Sequence, residues 1–411
     1  MSGARRKIGR TAKRVVYFAV AAALLGLPSV AAAQNSGDET FSLVTTVQTP
    51  SNSTLNGFDI SYVDASVGEY FLSDSTDKAI LAINLFTKAA TFLAEGDFNG
   101  APTTCAVPHA CNGPDGLLTV HTPTGVELWA GNYPSNIKVV DYPSGNVTTI
   151  NVPGGSFRTD EGCWDPEDHL VLFANDADSP PFISFISTDT HSIVKQIKFD
   201  GAAGDGPTAT NGIEQCEWNA REHAFYLNIP EVNGSGNDTA DGNVVVINPH
   251  TFHIDQTFDI PVAECAGPQG MAIGPAPQIL LGCNAKGPPN NTGPQNAAVM
   301  NEENGHLIKV LANQGGNDEV WFNPGDGHYA LAEGSHATTD FLGIVDSRPI
   351  DVDQQISIAP APAAGSGPHS VAADPIFNEI YLPIEASVSS KACPTAGVGC
   401  VAIFKAQGRG Q

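Results

Sequence analysis

The sequence predicts an all-β fold, a seven-bladed β-propeller closed by an N-terminal strand that completes the last blade. Three observations predict it. A short phrase recurs seven times, a turn leading through a polar residue into a short apolar strand. Its copies are Gly57-Phe58-Asp59, Gly113-Pro114-Asp115, Thr159-Asp160-Glu161, Gly212-Ile213-Glu214, Gly267-Pro268-Gln269, Asn317-Asp318-Glu319 and Gly367-Pro368-His369. The third residues of these phrases are spaced by 56, 46, 53, 55, 50 and 50 positions, and a period near that length with four strand signals per repeat is that of a propeller blade. Finally, residues 41–47 alternate like a strand although they precede the first repeat, while the last repeat has strand signals only at 370–374, 379–384 and 401–404. The early strand then supplies the missing fourth and leaves no open sheet edge. An irregular array of β-sandwiches is the competing arrangement.

Each element follows from the same logic. After each phrase comes a second short apolar run, such as 70–72, 170–174 or 224–227, and then a third and fourth, such as 137–141 with 147–151 or 244–248 with 254–258. Clusters such as Pro143-Ser144-Gly145-Asn146 separate them, which is the chemistry of tight turns. Helical periodicity is almost absent. Trp164, Trp218 and Trp321 follow their phrases closely and are expected to pack between blades near the channel.

The amino terminus reads separately. Residues 1–33 carry Arg5, Arg6, Lys7, Arg10, Lys13 and Arg14, then an apolar stretch and small residues ending at Ala33, the pattern of a secretory signal peptide. Residues 34–40 are expected to be a flexible lead-in and 41–406 a single propeller domain. Cleavage after Ala33 leaves 13 basic against 44 acidic side chains, a net charge of −31. That acidity argues against a nucleic-acid partner and favours attraction of cations. No later segment is long and apolar enough to span a bilayer as a helix, so the expectation is a periplasmic or secreted protein free of the membrane.

Eight cysteines in an exported chain point to disulfides. Cys105 with Cys111 and Cys393 with Cys400 bracket short loops and are expected to pair locally. For Cys163, Cys216, Cys265 and Cys283 three pairings remain open.

In a propeller the innermost strands line a central channel, so equivalent residues of seven blades form a ring. Here the ring is Asp59, Asp115, Glu161, Glu214, Gln269, Glu319 and His369. The second strands return to the same face and end in Asp74, Asn132, Asn175, Asn228, Asn284, Glu333 and Glu385. So many carboxyls cannot all ionise side by side without a counter-charge. A divalent metal held by Asp59, Asp115, Glu161, Glu214, Glu319 and His369 would supply it: Ca²⁺ first for an oxygen-rich set, Mn²⁺ or Fe²⁺ if the imidazole coordinates. Inserts at 97–113, 228–242, 284–296 and 387–400 point toward the same mouth. No Gly-x-Ser-x-Gly elbow, phosphate loop, dinucleotide fingerprint or His-Glu-x-x-His helix is present.

The segments Leu172-Phe173-Ala174-Asn175, Tyr226-Leu227-Asn228 and Asn243-Val244-Val245-Val246-Ile247-Asn248 resemble the YVTN, or lactonase-like, seven-bladed propellers, although no blade carries the YVTN tetrad itself. By analogy with gluconolactonase- and paraoxonase-like propellers, which hold a catalytic Ca²⁺ on carboxylate and amide oxygens in the channel, the resemblance implies a metal-dependent hydrolase acting on a small-molecule substrate. Glu214, Glu319 and His369 are then the expected proton-transfer residues. A metal-assisted lyase and a noncatalytic ligand- or protein-binding propeller are the alternatives.

Overall fold

The computed structural model describes residues 39–50, 53–102, 104, 105, 107, 110–284, 295–334, 339–360, 367–387, 390 and 392–407. The expected signal peptide, most of the 34–40 lead-in, most of the 284–296 insert and parts of 97–113 and 387–400 lie outside them. The described chain forms seven four-stranded antiparallel sheets. Six are meanders in which consecutive strands pair. Their innermost strands are Phe58–Asp64, Leu117–Thr122, Gly162–Asp165, Cys216–Asn219, Pro268–Ile273 and Asn317–Asn323 for blades 1 to 6. Blade 7 takes Ala372–Asp374, Glu379–Ile384 and Cys400–Gln407 from the end of the chain and Thr40–Val47 from its beginning. The early strand pairs antiparallel with the last one, Thr40 opposite Gln407 and Val47 opposite Val401, as the sequence predicts. No helix among the described residues is long and apolar enough to cross a membrane.

Burial follows strand position. Second strands such as Leu170–Asn175 and Ala224–Ile229 are buried at every residue, because they pack against a blade on each side. Outermost strands such as Ser192–Lys198 are largely exposed. The core is divided into seven apolar clusters, each built from two adjacent blades. Phe185 and Leu172 of blade 3 pack with Phe225 and Leu227 of blade 4, and Leu72 and Leu81 of blade 1 pack with Tyr381 and Val401 of blade 7. The second of these junctions closes the ring.

All four disulfides join described cysteines. Cys105–Cys111 and Cys393–Cys400 are the expected local pairs. Of the three open pairings the structure takes Cys163–Cys216, which ties the innermost strands of blades 3 and 4, and Cys265–Cys283, within blade 5. Four disulfides fit an oxidising compartment.

Candidate functional site: an acidic channel mouth

The phrases that mark each blade stand where the innermost strand begins, and backbone hydrogen bonds to the second strand fix them there. The Asp115 N–H donates to the Gly131 carbonyl, Asp160 to Ala174 and Glu214 to Asn228, all at 2.8–3.0 Å. This pairing makes Asp160, rather than Glu161, the counterpart of Asp115 and Glu214. Glu161 stands one residue further along its strand, level with Gly116 and Gln215, whose carbonyls accept from the second strand in the same way. The ring as expected from sequence is therefore corrected in blade 3. Blades 1, 5 and 6 reach the mouth differently: the ladder slips between Phe58 and Ser61, Pro268 and Met271, and Asn317 and Val320. Such bulges re-aim side chains, and they carry Asp59, Gln269 and Glu319.

By their contacts the ring residues fall into four groups. Asp59, Asp115 and Asp160 come together, with one oxygen from each lying within 4.8 Å of the others. Arg158, which the repeat phrase does not include, enters this group. Its Nε stands 2.5 Å from Asp115 Oδ2, and an Nη atom stands 2.5 Å from Asp160 Oδ2 and 3.4 Å from Asp176 Oδ2. Burial pushes the Asp115 and Asp160 carboxyls well above the ordinary range despite the guanidinium, and nearby Asp59 adds to the effect. Asp160 Oδ1 is buried without a hydrogen-bond partner.

Glu161 and Glu319, from the non-adjacent blades 3 and 6, form the second group, two buried carboxyls close enough to act on each other's charge. Burial is the main reason that Glu319 is pushed up to about 8 and Glu161 well above its usual range. In such a pair one member holds the proton and the other accepts it. Third, Gln269 donates from Nε2 to Glu214 Oε1 at 2.8 Å. Burial, followed by the charges of Asp318, Asp160 and Asp176, raises Glu214 as well.

His369 forms the fourth group. Its ring lies flat on Phe58, with centroids 4.5 Å apart and planes 6° from parallel. Nε2 meets the Phe58 carbonyl at 3.0 Å and Nδ1 the Gly367 carbonyl at 3.2 Å. Carbonyls only accept, so both nitrogens donate and the ring is an imidazolium. Burial opposes that charge, but Asp59, Asp318 and Glu385 outweigh it and raise the pKa. In this arrangement neither nitrogen offers a lone pair to a metal or a proton.

Part of the counter-charge that the sequence demanded is thus internal, from Arg158 and His369. The second polar layer is largely structural. Asn228 donates across the blade junction to the Gln269 and Gly270 carbonyls, and Asn175 donates to Ser135 Oγ and the Arg158 carbonyl. Sequence reasoning missed Arg158, although its place two residues before Asp160, as one of few basic residues in an acidic chain, was the available signal.

No family model matches the chain, and no curated protein matches it. Among solved structures, a chain in a crystal structure of a mitotic checkpoint complex is similar over 96% of this chain and 99% of that one, with 12% identity and a TM-score of 0.55. The likeness is one of fold: this chain is a seven-bladed β-propeller.

Proposed function

We propose that the protein is an exported metal-dependent hydrolase, lactonase- or esterase-like, with its site at the acidic mouth. The observation that carries this reading is the Asp59, Asp115 and Asp160 group. Oxygens within 4.8 Å of one another suit a cation with ligand distances of roughly 2.3–2.6 Å, and the unpartnered Asp160 Oδ1 suits a ligand. With His369 turned to carbonyls the donor set is all oxygen, which favours Ca²⁺ over Mn²⁺ or Fe²⁺. A divalent ion there would polarise a substrate carbonyl or the attacking water. Proton transfer falls to the Glu161–Glu319 pair, two neighbouring carboxyls raised by burial, of which one can give a proton while the other takes one. Glu214, oriented by Gln269, shapes the mouth beside them, and His369 supplies positive charge. The resemblance to lactonase-like propellers supports the reading. A lyase would use the same parts.

One observation favours a second reading, a noncatalytic ligand-binding propeller: Arg158 already occupies Asp115 and Asp160. Metal analysis after dialysis, with melting temperature measured with and without Ca²⁺, separates the two. The hydrolase reading expects bound metal and a Ca²⁺-dependent rise that Asp59→Asn abolishes, together with chelator-sensitive activity on a panel of lactones, esters and uronates. Metal-free protein indifferent to Ca²⁺ and inert on that panel would leave the binding reading standing.

A further inference from the structure

Further along the channel lies a cavity of about 340 Å³ with Glu161 at its edge and a different character. Its wall includes Tyr62 of blade 1, Trp164 of blade 3, Trp218 of blade 4, and Trp321 and Phe322 of blade 6. The tryptophans were expected to be inter-blade core. They do touch the blade clusters from the side, but each also lines the open channel. Trp321 stands edge-on to Tyr62, with centroids 5.4 Å apart.

Trp129, the fourth tryptophan, shows what a purely structural one looks like here. It is fully buried, and its Nε1–H donates to Glu127 Oε2 at 2.9 Å. By contrast, the indole N–H groups of Trp164 and Trp218 are buried without an acceptor. Glu217 also lines the cavity. No hydrogen bond or ion pair engages its carboxyl among the described residues, and burial alone pushes it up to about 8. An aromatic wall, an uncompensated carboxyl and two orphan donors in one cavity leave buried polar groups waiting for a partner.

We propose that this chamber binds a small organic cation, an alkylated ammonium that also carries a hydroxyl or ether oxygen. Ring faces attract such a cation through their quadrupoles, more strongly where water is excluded. Glu217, which burial keeps protonated in the empty chamber near neutral pH, supplies the counter-charge by giving up its proton to solvent as the cation enters, and the two indole N–H groups can donate to the oxygen. The volume lies at the lower end of small-molecule sites, about 300–1,000 Å³, and the acidic protein concentrates cations around itself. The chamber requires neither a metal at the mouth nor hydrolysis there.

Three of the four tryptophans line the cavity, so intrinsic fluorescence reports on it. The full chain, treated with chelator, is titrated with choline chloride, with potassium chloride at equal ionic strength and with choline's uncharged isostere carrying carbon in place of nitrogen. The expected result is a saturable response to choline alone, weakened about tenfold or more in Glu217→Gln while the melting temperature of that variant is at least that of the parent. Trp218→Phe, which keeps an aromatic ring and removes the N–H, is expected to narrow the preference for choline over tetramethylammonium. An isostere binding as well as choline, a Glu217→Gln variant binding as tightly as the parent, or no saturable response to choline would overturn the proposal. Loss of binding only in chelator would tie the response to the mouth and overturn it too.

Discussion

Arg158 is the residue on which the electrostatics of the mouth turn. Its guanidinium holds Asp115 and Asp160 in place, and removing one partner of a buried ion group leaves charge uncompensated, at a cost of roughly 3–5 kcal/mol. Arg158→Ala is therefore expected to lower the unfolding free energy read from urea melts by that order at mildly alkaline pH. The loss should shrink in acid, where the aspartates take up protons, and with Ca²⁺ if the cation enters the vacated space. The Glu161–Glu319 pair predicts differently. Glu319→Gln keeps a neutral hydrogen-bonding group beside Glu161, so stability is expected to hold while any hydrolytic turnover falls about a hundredfold or more, read as kcat on the best substrate of the panel. Residue types at this scale were legible in sequence, but partners were not. Asp160 and Glu161 are neighbours of like charge, and only the backbone pairing to Ala174 decides which joins Asp115. His369 was legible as a channel residue, whereas the two carbonyls that make it a cation arise from the folded backbone.

Among the elements, the innermost strands of blades 3 and 4 are tied by Cys163–Cys216, 53 residues apart, while Cys105–Cys111 closes only 6. Constraint of the unfolded chain grows with loop length. Replacing Cys163 and Cys216 with serine is expected to cost about 4 kcal/mol, against about 2 kcal/mol for Cys105 and Cys111, compared by denaturant melts of the two double variants. The four-strand repeat and the early strand completing blade 7 were readable because apolar alternation and turn residues are local signals. The bulges at Asp59, Gln269 and Glu319 were not, since a slip in register depends on both strands. The choice among three disulfide pairings likewise needed the spatial order of the blades.

For the whole molecule, the buried acids set a pH response. Burial pushes Asp74, Glu217 and Glu319 up to about 8, so the native state keeps protons that the unfolded chain sheds in the ordinary carboxylate range. Stability then falls as pH rises between the two, by up to about 1.4 kcal/mol per pH unit for each such group. His369 and His328 act in the same direction: burial opposes their charge, but neighbouring carboxylates raise both, and what they contribute is lost as pH climbs through the raised values. The melting temperature is expected to be several degrees higher near pH 5.5 than near pH 8, with a shallower slope in Ca²⁺ if the ion replaces protons at the mouth. A melt series across pH, with and without Ca²⁺, measures it. The pairing of Thr40–Val47 with Cys400–Gln407 also has a kinetic side. The final sheet cannot zip until segments separated by nearly the entire polypeptide meet, a contact of the slowest kind. During synthesis the leading strand waits for the trailing one, and its backbone stays unpaired until that strand arrives.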